Sequence, residues 1–177
     1  MTANSNTPQL VLMSGYGSKD EFLEFIFKTF LGDFVHNITK FRGQKIFLRK
    51  RPTGSINGVD YDWTFHHIIT KENTRNNNIR EFNQGRAERI QFPKFYVNQC
   101  QLLGSGFKIW SRSKNNEIKY YIADNSFDYL VILSQRRGYI MLLSAFLVET
   151  DNYKYKLNKE YEHYKNQPDN GNRPTTW

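Results

Sequence analysis

The sequence contains a single cysteine, Cys100. No internal disulfide framework can form from it, and the common structural zinc sites, which need several thiolates, have no ligands to draw on. Long apolar runs are missing too. The strongest, residues 139–148, spans about ten residues, where a membrane-crossing helix needs about 18 or more. The opening residues are polar and carry no secretory pattern, so the expectation is a cytoplasmic protein with no membrane partner. Acids are scarce: 17 Asp and Glu stand against 25 Lys and Arg, a net charge of +8. That balance asks for an anionic partner, with nucleic acid first and an acidic membrane surface second.

Several catalytic signatures are also lacking. There is no Gly-x4-Gly-Lys-Ser/Thr phosphate loop, no His-Glu-x-x-His, no Gly-x-Ser-x-Gly elbow and no nucleotide-binding glycine fingerprint after a strand. The expectation is therefore no cofactor and no metal. What the chain has in quantity is rings: 14 Phe, 11 Tyr and 3 Trp. These exclude an acidic, aromatic-poor disordered chain, and 177 residues suffice for one buried core.

Three regions are expected: a flexible segment over 1–18, one folded domain over 19–166, and a disordered tail over 167–177 rich in Pro, Asn and Thr. Ser18-Lys-Asp-Glu21 has the form of a capping box, opening a helix to about Ile38 with a break at Gly32. A basic strand over 44–50 and an Asn57-Gly58 turn follow. Residues 61–70 alternate as a strand, 73–78 form an asparagine-rich loop, and 79–89 read as a helix ended before Pro93. Strands over 107–111, 118–123 and 127–134 precede a turn at Arg136-Arg-Gly138. The strand beyond that turn, apolar on both faces, has a central pattern. A Lys/Tyr/Glu helix over 151–166, with an Asp near its start, closes the domain. The fold class is α+β: an N-terminal helix and a small, mainly antiparallel sheet with packed helices.

Four features carry candidate chemistry. His66-His67 supply a proton carrier near neutrality. On a strand they point to opposite faces, so only one of them can serve a given site; the plain alternative is one solvated histidine and one in an aromatic wall. Arg86 and Arg89 lie three apart on a helix with Glu88 between them, suited to phosphate or simply a salt-bridged surface. Lys40, Arg42, Lys45, Arg49, Lys50 and Arg51 form an acid-free basic run interleaved with Phe41 and Phe47. It reads as a phosphate-tracking surface or as a guarded edge strand. Ser144 is a hydroxyl in an apolar strand, which needs a partner or a function. Arg137 and Tyr139 face the same cleft in this reading, while Tyr129 reads as core and Lys154, Lys156 and Lys159 as the wet face of a packed helix.

Taken in order, Trp63-x-x-x-His67-Ile-Ile-Thr70, Arg86-Ala-Glu-Arg89-Ile90-x-x-Pro93, Asp128-Tyr-Leu-Val131, Arg136-Arg-Gly138-Tyr139-x4-Ser144-Ala and Lys156-Leu-x-Lys-Glu-Tyr161 resemble a nuclease group. It is the phage-associated branch of the barnase–EndoU–colicin–RelE-like (BECR) ribonucleases and toxins. The resemblance covers about 60–165. It implies a metal-independent RNase with its site on the open face of a small antiparallel sheet, holding His67, Arg86, Glu88, Arg89 and Ser144. Ser144 stands where the pattern has Thr, and neither 94–99 nor the N-terminal helix has a counterpart.

The expected function is an endoribonuclease of toxin or phage-defence type. His67, with Glu88 in reserve, removes a 2′-hydroxyl proton, and the arginines stabilise the phosphate, leaving a 2′,3′-cyclic phosphate. Arg42, Lys45, Arg49, Lys50, Arg51 and Arg137 are the expected nucleic-acid contacts. The implied partners are RNA, tRNA included, and an antitoxin or immunity protein. The rival reading is a non-catalytic nucleic-acid-binding or phage regulatory domain; a third is a structural or protein-partner domain.

Overall fold

The computed structural model describes residues 7–50, 52–56, 59–73 and 79–167. Arg51, the Asn57-Gly58 signal, residues 74–78 of the asparagine-rich stretch, the first six residues of the expected N-terminal segment and residues 168–177 of the expected C-terminal tail lie outside the described residues.

Helix α1 (Lys19–Leu31) begins where the Ser-x-x-Glu spacing predicts. The Ser18 hydroxyl accepts the Glu21 N–H at 3.2 Å, and the Glu21 carboxylate takes the Gly17 N–H at 3.0 Å. Two otherwise unpaired amides are satisfied at once. The helix buries Phe22, Leu23, Ile26 and Phe30, one stripe at helical spacing. At Gly32 it widens into a π-helical turn (Gly32–His36), which carries Phe34 into the core rather than ending the stripe.

Ten strands follow in chain order: β1 (Lys40–Phe41), β2 (Gln44–Phe47), β3 (Pro52–Ile56), β4 (Val59–Asp62), β5 (Thr70–Glu72), β6 (Arg80–Phe82), β7 (Lys108–Lys114), β8 (Glu117–Ala123), β9 (Tyr129–Arg136) and β10 (Tyr139–Leu147). The main sheet has the order β1-β2-β10-β9-β8-β7, and β3–β4 and β5–β6 are separate two-stranded pairs. Every pairing is antiparallel except β2 with β10. The architecture is thus α+β with a mainly antiparallel sheet. β10 lies between β2 and β9, as its two-faced apolar pattern predicts, and Gly138 (φ +81°) makes the tight β9–β10 turn.

Several sequence expectations fail. Residues 63–69 are a helix, α2 (Trp63–Ile69), not the second half of a strand. The aromatic and β-branched residues there have strand propensity, but the buried positions are Thr64, Phe65, Ile68 and Ile69, which is helical spacing. Residues 79–89 are not one helix. They divide into β6, a single turn α3 (Gln84–Ala87) capped by the Asn83 side chain, and an irregular bend. Pro93 does not stop a helix but starts one, at the first turn of α4 (Phe92–Gln99), where its missing N–H costs nothing. β2 also ends at Phe47, short of the expected 50.

The sheet has two buried faces. On the inner face Tyr129, Val131, Leu133, Ile140 and Leu142 pack with α1, α2 and α4 side chains, including Phe22, Phe30, Phe65 and Val97. On the outer face Trp110, Tyr121, Phe127 and Leu130 meet Leu157 of α5 (Asp151–Asn166). Each fully buried Phe or Ile contributes about 1.5–3 kcal/mol. Thr150 caps α5, accepting the Tyr153 N–H, and the helix covers the β7 side of the sheet. The outer side of β10 nearest β2 keeps Tyr139, Met141 and Leu143 half-buried. Among the described residues no helix is long and apolar enough to cross a membrane.

Candidate active site

α2 packs along β10 and against α3. Its buried side faces the core, which leaves Trp63, His66 and His67 half-buried on the other. The i,i+4 spacing superposes the first and last of these: the indole of Trp63 and the imidazole of His67 stack with centroids 4.6 Å apart and planes 11° from parallel. Arg49 lays its guanidinium over the same indole, 4.8 Å from the centroid. The chain after β2 is held there by two bonds to α2, Arg49 N–H to the Thr64 hydroxyl at 2.8 Å and Thr64 N–H to the Arg49 carbonyl at 3.4 Å.

The C-terminal carbonyls of α2 are taken up by side chains. The Thr70 hydroxyl donates to the His66 carbonyl at 2.6 Å. Arg80 Nη2 donates to the carbonyls of His67 at 3.2 Å and Thr70 at 2.8 Å, and its Nε to the Thr70 hydroxyl at 2.9 Å. Arg86 Nη1 reaches the same Thr70 carbonyl at 2.8 Å. Two cations at the negative end of a helix are favourable. Their acidic partners are peripheral: Glu72 pairs with Arg80 at 3.1 Å, and Glu149 is held by Lys71.

His67 feels both arginines. Burial, then Arg80, Arg86 and His66, push its pKa down to about 4. Neither ring nitrogen makes a hydrogen bond to a described residue. At neutral pH this is an uncharged imidazole, stacked in place, with its proton-accepting nitrogen unengaged. His66 is also lowered, by burial and by Arg80.

Ser144 reaches the outer face through a β-bulge. Leu142 pairs with Leu133 and Ser144 with Ile132, so Leu143 is an extra residue that shifts the alternation. Ser144 and Phe146 thereby join Tyr139 and Met141 on the outer face. The Ser144 residue is 7% exposed and its hydroxyl has no hydrogen-bond partner among the described residues. The Arg86 guanidinium lies 4.9 Å over the Phe146 ring. Its Nε and the nearby Tyr129 hydroxyl are buried without partners among the described residues.

The remaining expected site residues have other attachments. The Glu88 carboxylate accepts the Met13 N–H at 3.1 Å and the Gln84 amide at 2.8 Å, so it holds the N-terminal segment to α3. Arg89 donates to the Gly85 carbonyl at 2.7 Å and lies over Phe92. No bond or ring contact joins either residue to His67 among the described residues. Arg42 sits in the β1–β2 turn at φ +53°, its guanidinium 4.7 Å over the Tyr120 ring. Lys45 lies 5.3 Å over Phe47, Lys50 is exposed, and Arg137 is exposed in the β9–β10 turn. The structure thus brings His67 and Arg86 within electrostatic reach of each other beside β10, with Arg49 beyond Trp63, while no hydrogen bond among the described residues joins Ser144 to either.

Arg80 and Phe146 were missed. Only the Trp63-x-x-x-His67 spacing signals the stack, and only if the segment is taken as helical. Cys100 is buried, donates to the Val97 carbonyl, and has its thiol pushed up to about 12 by burial, which makes it inert. No group of three His, Cys, Asp or Glu side chains placed to hold a metal ion occurs among the described residues. No family model, curated protein or solved structure matches this chain.

Proposed function

We propose that this chain is a cytoplasmic, metal-independent endoribonuclease of the BECR type, of the kind used as toxins or in phage defence. The observation that carries this reading is His67: a neutral, half-buried imidazole, ring-stacked, with free nitrogens, between Arg80 and Arg86. His67 accepts the proton of a 2′-hydroxyl. The 2′-oxygen bonds to the adjacent phosphorus, the bond from phosphorus to the 5′-oxygen breaks, and that oxygen takes a proton from the imidazolium or from water. A 2′,3′-cyclic phosphate and a 5′-hydroxyl remain. Arg86, whose Nη2 has no described partner, and the Ser144 hydroxyl serve the phosphate oxygens. A bound phosphate would also offset the two guanidinium charges that depress His67, which strengthens it as a base once substrate is present. The net charge of +8 supplies attraction for RNA, with tRNA a natural first substrate. A cognate antitoxin or immunity protein is the partner such an activity calls for.

One observation favours a second reading, a non-catalytic nucleic-acid-binding or phage regulatory domain. Arg80 and Arg86 already spend donors on backbone carbonyls, an arrangement that holds a fold whether or not chemistry occurs. Turnover separates the two. Incubation with total tRNA and mixed-sequence RNA in EDTA should yield discrete fragments with cyclic-phosphate ends, lost in His67→Ala. Intact RNA that is shifted on a native gel supports the binding domain.

A further inference from the structure

β2 carries Lys45 and Phe47 at alternate positions, hence on one side, and Arg49 follows just beyond the end of the strand. Phe47 pairs in register with Met141, which places its ring on the outer face beside Tyr139. The two rings meet edge to face, centroids 5.1 Å apart and planes 67° from parallel. Phe47 is 44% exposed. Lys45 stands over this ring, and Arg137 is exposed two residues before Tyr139. Neither 44–50 nor 136–147 contains an acid. The acid beside this face, Glu117, is already held by Ser134 and Arg136, so the patch keeps a cationic rim and suits an occupant that is anionic and presents a flat apolar face. An unpaired nucleotide has both properties. A base in a duplex hides its faces in the stack.

We propose that the Phe47–Tyr139 ring pair is a base-stacking subsite for single-stranded RNA, from which the strand runs along β10 toward Arg86 and His67. This rests on the reading of the protein as RNA-directed. From Tyr139 to Phe146 β10 covers roughly 20 Å at about 3.3 Å per residue, so the subsite holds a nucleotide removed from the one that reacts. Lys45 meets its phosphate, and Arg49 over Trp63 provides the next cation along the path.

The test uses the full chain and a mixed-sequence dodecamer with 2′-O-methyl sugars, which cannot be cleaved by 2′-attack. Anisotropy would measure binding to the single strand, to its duplex, and to poly-glutamate. Phe47→Ala should weaken single-strand binding roughly 5- to 100-fold, with thermal stability nearly unchanged, and Phe47→Trp should restore it. Unchanged affinity in Phe47→Ala overturns the subsite and leaves the nuclease reading standing. Equal binding to the duplex, or Phe47-dependent binding of poly-glutamate in place of RNA, also overturns it. A wild-type chain that binds no RNA overturns both the subsite and the reading beneath it.

Discussion

Arg80 and Arg86 donate to one and the same acceptor, the Thr70 carbonyl oxygen, each at 2.8 Å. Like charges held this close repel, and burial adds to the cost. Burial and Arg80 lower the proton affinity of Arg86; burial lowers that of Arg80, while Glu72 opposes it. The α2 C-terminus offsets part of that cost. A bound phosphate would offset more. The pair therefore stabilises the fold only partly, and in the proposed function it is this pair that meets the phosphate charge.

The two arginines should separate on substitution. Arg80→Met removes four hydrogen bonds and should cost about 1.5–3 kcal/mol of stability, read by urea denaturation. Arg86→Met should weaken RNA binding about tenfold and reduce the salt slope of binding by about one. An Arg86→Met protein that binds RNA with the wild-type salt dependence would remove Arg86 from the proposed site.

His67 predicts a pH signature. Its folded pKa, about 4, lies below the value of about 6.5 expected in the unfolded chain. The unfolded state thus takes up a proton first as pH falls. The stability associated with the neutral ring is complete above about pH 6.5 and is lost progressively down to about pH 4. His67→Phe keeps a ring against Trp63 and removes the titration. Its melting temperature should fall less steeply than wild type across that window, and its RNA cleavage should be absent. Parallel pH curves for the two proteins would contradict the depressed pKa.

Tyr129→Phe should not harm the protein. The Tyr129 hydroxyl is buried with no described partner, and burial holds its pKa above the usual value despite Arg86 and Arg89. Deleting an unpaired buried hydroxyl relieves a cost of about 1–3 kcal/mol. Equal or higher thermal stability is expected. A large loss would mean that the hydroxyl has a partner, such as an ordered water, that matters.

Glu88→Ala tests which carboxylate or imidazole does the chemistry. Glu88 holds the Met13 amide at 3.1 Å, so the substitution should speed hydrogen exchange at Met13. Cleavage should persist within a few-fold of wild type. Loss of cleavage with an intact fold would transfer the base to Glu88 and displace His67.

Much of the frame was legible because local signals and burial agreed. Ser18 and Glu21 marked the start of α1, Arg136-Arg-Gly138 marked the hairpin, and the two-faced apolar run from Tyr139 marked the strand between two neighbours. The failures came where local signals opposed tertiary placement. Trp63, Phe65, Ile68 and Ile69 favour a strand by propensity, yet the gap beside β10 accommodates two helical turns. That error had a consequence, since the Trp63–His67 stack exists only on a helix. Arg80 was invisible for a different reason. It acts across ten residues of chain on the end of α2, a relationship that no periodicity encodes.

Leu143 gives one more consequence. The residue adds a single count to β10, so every side chain after it exchanges inside for outside. Ser144 and Phe146 owe their position to that count, and Ala145 owes to it its place in the core. The strand behaves like a reading frame written in space. Exchanging Leu143 for another residue changes one side chain, whereas deleting it sends the Ser144 hydroxyl inward and turns core groups toward solvent.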